Sequence, residues 1–224
     1  MFDKTIRIYI MMKKVILSIL VLAFPFVLCA QSSGLFSKKK IRMNQPETAY
    51  MQGAVPVVDG QVVFTKNIVS PSGNSKKVFT DLLQWANLRY MADVEHGVWT
   101  DADYYRNLTN AMVKSADEQT GVIVCQADEE LVFTNKVLAK DYCKVNYKLE
   151  IKVEAAVVKV TISNISYVYN LTDEPQRLTA EEWITDEEAI SRKGKLYRVS
   201  GKFRVKTIDL QKQLFDEIAE VVAK

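Results

Sequence analysis

Five carboxylates crowd one short stretch of the chain: Glu181, Glu182, Asp186, Glu187 and Glu188. Two such groups facing each other across about 5 to 9 Å would suit glycoside hydrolysis, and a looser set of oxygens would suit calcium. The order of the residues points elsewhere. Thr179-Ala180-Glu181-Glu182 and Thr185-Asp186-Glu187-Glu188 are consecutive capping boxes, in which a threonine and the glutamate three residues later satisfy the free amides of a helix's first turn. A calcium loop needs alternating oxygen ligands around a glycine turn, which this helix-forming run lacks. Asp141 and Glu150 flank an alternating strand and read as solvated. The one histidine, His96, is too few for a His-rich zinc or iron centre. No nucleophile and base pair, metal-ligand spacing or phosphate loop is found, so the sequence offers no catalytic, metal or cofactor-binding residue.

A second group is aromatic. Trp183, Tyr167 and Tyr169 fall around the turn after a run of strands. Exposed, they would suit a sugar, peptide or protein partner; buried, they would anchor the short helices on the sheet, and Trp183 lies in a capped first turn beside Ile184. A third group is the cysteine pair Cys125 and Cys143, both in expected strands. They would form a disulfide only if they face each other on neighbouring strands, with Cα atoms within about 7 Å; otherwise they are buried thiols.

The compartment follows from the N-terminus. Met12-Lys13-Lys14 is a basic n-region, Val15 to Leu28 is an apolar run, and Leu28-Cys29-Ala30 precedes the polar Gln31-Ser32-Ser33. That is the layout of a secretory signal peptide, residues 1–30, cut after Ala30. The apolar run falls short of the ~20 residues of a membrane-spanning helix, so no span is expected after processing. Cys29 would be the acylated residue of a lipoprotein, but Leu28 before it is larger than such processing favours. Removing residues 1–30 takes Lys4, Arg7, Lys13 and Lys14 from 30 basic residues and Asp3 from 27 acidic ones, leaving 26 of each and no net charge. Nucleic-acid binding loses its electrostatic support.

The elements that must position these groups follow from periodicity. Residues 31–56, with the basic run Lys38-Lys39-Lys40-Ile41-Arg42, read as a flexible linker; residues 57–224 read as one domain. Asp59-Gly60 marks a turn, and Val62, Phe64, Ile68 and Val69 a strand. Ser75 caps a helix to about Met91, with Val78, Leu82, Trp85 and Arg89 on one side and Phe79, Leu83, Ala86 and Tyr90 beside them. Residues 93–109, with His96, Trp99, Tyr104 and Tyr105, read as an irregular connection or short helix. Met112–Ala116, Gly121–Ala127, Glu130–Thr134, Tyr142–Val153 and Ala156–Tyr169 read as an antiparallel meander. Its fourth run places Cys143, Val145, Tyr147, Leu149, Ile151 and Val153 on one face. Lys202 and Arg204 read as the wet side of a final strand, and Asp209 as the cap of a closing helix bearing Leu210, Leu214 and Ile218.

Gly60-Gln61-Val62-Val63-Phe64-Thr65-Lys66-Asn67-Ile68, Leu82-Leu83-Gln84-Trp85-Ala86, Ile165-Ser166-Tyr167-Val168-Tyr169, Thr179-Ala180-Glu181-Glu182-Trp183-Ile184-Thr185-Asp186 and Gly201-Lys202-Phe203-Arg204 resemble a family of exported bacterial proteins, a domain of unknown function with a TATA-box-binding-protein-like fold. The resemblance covers residues about 57 to 222. It implies an α+β domain: a curved antiparallel sheet with a long N-terminal helix and a C-terminal helix packed on one face. It implies no activity, and function does not follow from fold. The expectation is a periplasmic or secreted, non-enzymatic protein that uses no cofactor, binds no nucleic acid, and takes a protein or small ligand of the cell envelope through its sheet or aromatic edge. The rivals are a carboxylate-dependent hydrolase of an envelope or dietary polymer, and a structural accessory subunit of an envelope assembly.

Overall fold

Asp59 and Gly60 have φ of 50° and 78°, the left-handed pair that a tight two-residue hairpin turn demands. They join β1 (Val57–Val58) to β2 (Gln61–Val62). The computed structural model describes residues 41–90, 112–136, 139–170 and 175–224. The signal peptide, its cleavage after Ala30, Cys29, the basic run as far as Lys40, and the connection bearing His96 and Trp99 lie outside the described residues.

The main sheet is antiparallel and six-stranded: β3 (Phe64–Val69), β4 (Met112–Asp117), β5 (Val122–Lys136), β6 (Ala139–Val153), β7 (Val157–Asn170) and β8 (Pro175–Thr179). Their order is β3-β7-β6-β5-β4, with β3 and β8 sharing one edge of β7. The strict alternation of β6 sends Cys143, Val145, Tyr147, Leu149 and Ile151 into the core. A bulge opposite Tyr147, where Asn164 takes φ 53°, shifts the phase of β7 so that Ile165, Tyr167 and Tyr169 continue the buried face of Val158, Val160 and Ile162. Asparagine tolerates that conformation better than most side chains.

Helix α1 (Ser75–Tyr90) and helix α3 (Ser200–Val222) cover this face and touch each other. The cap of α1 is Asn74 rather than Ser75: the Lys77 amide donates to Asn74 Oδ1 at 3.1 Å. Leu214, Ile218 and Val222 of α3 are buried, each such side chain contributing about 1.5–3 kcal/mol by leaving water. The four-residue α2 (Asp186–Ala189) follows a turn at which Thr179 Oγ1 accepts from the Glu182 amide at 3.3 Å and donates to its carboxylate at 2.9 Å; neither expected capping box forms as such, since residues 181–184 are a turn and Thr185 makes no side-chain cap bond to α2.

Four further sequence expectations change. Gly121–Ala127 and Glu130–Thr134 are one strand, β5, because Glu129 is buried in phase with Ile123, Cys125, Ala127 and Leu131. Lys202 and Arg204 belong to α3, not to a strand, and Asp209 lies inside that helix. Residues 41–56 are not a free linker: a 3-10 turn at Glu47–Tyr50 sets Tyr50 and Val55 into the core. The disulfide is excluded by register. Cys125 opposes Leu149 and Cys143 opposes Leu131, which puts the cysteines six residues apart along adjacent strands, about 20 Å. Both are free and buried, and burial raises the thiol of Cys125 to about 12 and that of Cys143 further. A reductant is expected to move the melting temperature by less than about 1 °C, and neither thiol to react with a disulfide reagent until the protein unfolds. Differential scanning fluorimetry and thiol titration in the presence and absence of denaturant check this.

Candidate functional site

Segment 44–51 is laid along α3 by two polar anchors. The Tyr50 hydroxyl donates to Asp209 Oδ1 at 2.6 Å and accepts from the amides of Asn44 and Gln45 at 3.0 and 2.8 Å. Arg204, fully buried, donates from Nε to the Tyr50 carbonyl, from Nη1 to Ile184, and from Nη2 to Met51 and to Asp186 Oδ1, all at 2.6–2.7 Å.

Between this strap, α3 and β5 lies a cavity of about 520 Å³. One wall is the α3 stripe Lys206, Asp209, Leu210, Gln213 and Asp216; another is Glu129 to Val132 of β5; Asn44 and Gln45 close one end, and Arg89 of α1 also lines it. Arg89 and Glu129 form a buried pair, Nη2 donating to the two carboxylate oxygens at 3.0 and 2.8 Å. Tyr147 donates to Glu129 through a short bond and meets the Tyr90 hydroxyl at 3.1 Å. Arg89 Nε stands 3.5 Å from Glu217, and both Nε and Nη1 are buried without a hydrogen-bond partner. At the strap end Asp209 Oδ2 is likewise buried without one. Burial lowers the Lys206 ammonium's pKa, against the pull of Asp209, and Arg42 lowers it further.

The residues singled out from sequence lie elsewhere. Tyr167 and Tyr169 are core residues and do not form the exposed edge that would suit a partner. Tyr167 donates to or accepts from Thr207 at 2.7 Å, and Tyr169 donates to Asp141 at 2.9 Å. Trp183 packs edge-on against Phe203 at 5.9 Å, as an anchor of the turn. The acidic run is divided among structural tasks: Glu181 accepts from the Val62 amide at 2.7 Å, Glu182 accepts from the Thr179 hydroxyl at 2.9 Å, and Asp186 accepts from Gly53 and Arg204. Glu187 and Glu188 are exposed. Among the described residues no cluster of His, Cys, Asp and Glu is arranged to hold a metal, and no helix is long and apolar enough to cross a membrane.

Lys202, expected to be wet, instead sits against three rings. Its Nζ is 4.4, 4.5 and 5.7 Å from the centroids of Phe133, Tyr169 and Phe203, and 2.9 Å from Asp141 Oδ2. Lys202→Ala is expected to cost about 1–2 kcal/mol, losing the cation–π, ion-pair and stem contacts together, and Lys202→Met about half of that because it keeps the stem. Urea denaturation of the two variants separates the terms; equal losses would mean that the charge contributes nothing.

What sequence reasoning missed was Arg89 with Glu129. The signal was there: each is a charge in phase with an otherwise apolar face, Glu129 after Ile123, Cys125 and Ala127, and Arg89 after Leu82 and Ala86. Two such charges on elements that must pack together mark a buried pair.

Comparison with curated proteins finds no match. Among solved structures, a DUF4468 family protein from Bacteroides ovatus aligns with TM-score 0.68 and 28% identity, over 80% of this chain and 96% of that one. A TBP-like protein from Parabacteroides distasonis aligns with TM-score 0.55 and 18% identity, over 75% of this chain and 96% of that one, a likeness of fold. The family model for a domain of unknown function (DUF4468) with TBP-like fold matches residues 64–168, from β3 through most of β7. Over those residues the chain is similar to that family, whose function is unknown and whose fold is TBP-like.

Proposed function

We propose that the chain is an exported, non-enzymatic protein of the cell envelope that binds a small ligand in the cavity between α3, β5 and the strap. The observation that carries the reading is the cavity itself: about 520 Å³, within the range of small-molecule sites, with apolar walls at Leu131, Val132 and Leu210 and convergent polar groups at its two ends. Export rests on the n-region, apolar run and small residue at Ala30. A hydrolase built on the acidic run has no such support, since Glu181, Glu182 and Asp186 are engaged by backbone, hydroxyl and arginine contacts.

Protein recovered from its own host tests both halves. N-terminal sequencing is expected to begin at Gln31; an intact leader in the cytoplasmic fraction would sink export. Addition of a small-molecule fraction of the envelope to the labelled protein is expected to shift the amide resonances of 129–132 and 206–213. Gln213→Trp, an exposed cavity-rim substitution that fills the space, is expected to abolish the shifts. Shifts absent from the wild type, or retained in the filled variant, would sink binding at this site.

A further inference from the structure

Independently of the cavity, we infer that the hairpin between α2 and α3 docks the protein on a bilayer rich in anionic phospholipid. From Ala189 to Ile208 the chain has seven basic residues and no acidic one. Three of the seven are used within the domain: Lys202 against Asp141, Arg204 among its buried acceptors, and Lys206 in the cavity wall. The other four, Arg192, Lys193, Lys195 and Arg198, are exposed, and none of their side chains meets a carboxylate among the described residues. A chain with no net charge after residue 30 thus gathers one sign of charge in one place.

The fold presents this cluster in a fixed shape. The amides of Ser191 and Tyr197 donate to the carbonyls of Lys195 and Ala189 at 2.8 and 2.9 Å, and the Gly194 amide closes the tip on the Ser191 carbonyl at 2.8 Å. Gly194 takes φ 66°, the left-handed position that ends a three-residue hairpin loop. Behind the tip Leu196 packs against the core, and Ser200 Oγ donates to the Glu188 carbonyl at 2.8 Å. Arg192, Lys193 and Lys195 are therefore held out at the tip, while the nearest carboxylates along the chain, Glu187 and Glu188, belong to α2 at its base. Beside the cations Tyr197 and Val199 are 47% and 41% exposed. That mixture selects the partner. The cations attract the phosphates of an anionic leaflet, and a tyrosine, apolar in body and polar at its tip, suits the headgroup layer. A nucleic acid would need a longer basic track, which the sheet does not supply: Lys148 and Lys152 of β6 are paired with Glu150 and Glu154.

Co-sedimentation of the protein recovered from its host with phosphatidylcholine vesicles, plain or with about a third phosphatidylglycerol, tests the inference. Binding to the anionic vesicles is expected to be at least about tenfold tighter than to the plain ones at about 0.1 M salt, and to be lost at about 1 M, where the screening length falls from ~10 Å to ~3 Å. Arg192→Ser, Lys193→Ser and Lys195→Ser together are expected to weaken it roughly hundredfold, about fivefold for each cation at the surface. The same charge removed from the sheet, by Lys152→Ser, Lys159→Ser and Arg177→Ser, is expected to change it by less than about threefold. Circular dichroism spectra that match the wild type show that neither loss is unfolding. A DNA duplex at equal phosphate concentration is expected to bind more weakly than the anionic vesicles. Equal sedimentation with both kinds of vesicle, equal losses in the two triple variants, or tighter binding of the duplex than of the vesicles would overturn the inference.

Discussion

Arg204→Ala is expected to destabilise the protein by about 3–5 kcal/mol, because several hydrogen bonds from one buried cation are lost together. The guanidinium is fully buried and reaches four acceptors on three separate segments: the carbonyls of Tyr50 and Met51 in the strap, the carbonyl of Ile184, and Asp186 of α2. Truncation leaves the three carbonyls without this donor, and each orphaned buried polar group costs about 1–3 kcal/mol, whereas Asp186, about a third exposed, can turn to water. Lysine is a poor replacement. Its ammonium is a point charge and cannot span donors in three directions, so Arg204→Lys is expected to recover less than half of the loss. The damage should also be local before it is global, because the strap is held chiefly by Arg204 and by the Tyr50–Asp209 bond. Urea denaturation gives the total, and hydrogen exchange at 44–51 gives the local opening, expected to quicken well beyond exchange in β6. A loss below about 1 kcal/mol with the strap still protected would show that these contacts are replaceable by water.

The same arginine shows why part of the fold was hidden in the sequence. Strand β6 was readable because one face meets the helices and the other meets water, so its alternation survives intact. The first turns of α3 have no wet face of comparable width: Gly201, Phe203, Arg204, Val205, Thr207 and Ile208 are all buried, under the strap on one side and the sheet on the other. A helix buried nearly all round loses the 3.6-residue signal, and Lys202, Arg204 and Lys206 then mimic a strand's alternation. Gly201 is part of that crowding, since a Cβ there would come within 2.9 Å of Leu196 Cβ and 3.2 Å of Ile41 Cδ1. Strand β5 was split for the opposite reason: Asp128-Glu129-Glu130 looks like a polar break until Glu129 is paired with Arg89. The cavity was not legible at all, because it is assembled from positions near 44, 89, 130 and 210 that only the tertiary packing brings together.

The second large effect belongs to that pair. Glu129→Gln leaves Arg89 buried with Glu217 at 3.5 Å as its remaining carboxylate among the described residues, and is expected to cost about 3–5 kcal/mol. Replacing both, Arg89→Leu with Glu129→Leu, removes the uncompensated charge as well as the attraction, so the double variant is expected to lose less than Glu129→Gln alone. Tyr147 then loses its acceptor, which keeps the double variant somewhat below the wild type. The phenols add a pH signature. Burial, then the charge of Glu129, raises Tyr147 and Tyr90 well above 10. In the unfolded chain they ionise near pH 10, so their contribution to stability is complete below that pH and falls as pH rises beyond it, by about 1.4 kcal/mol per unit for each phenol. Urea midpoints between pH 9 and 11.5, read beside phenolate absorbance, check the slope; phenols that titrate near 10 while the protein stays folded would contradict it.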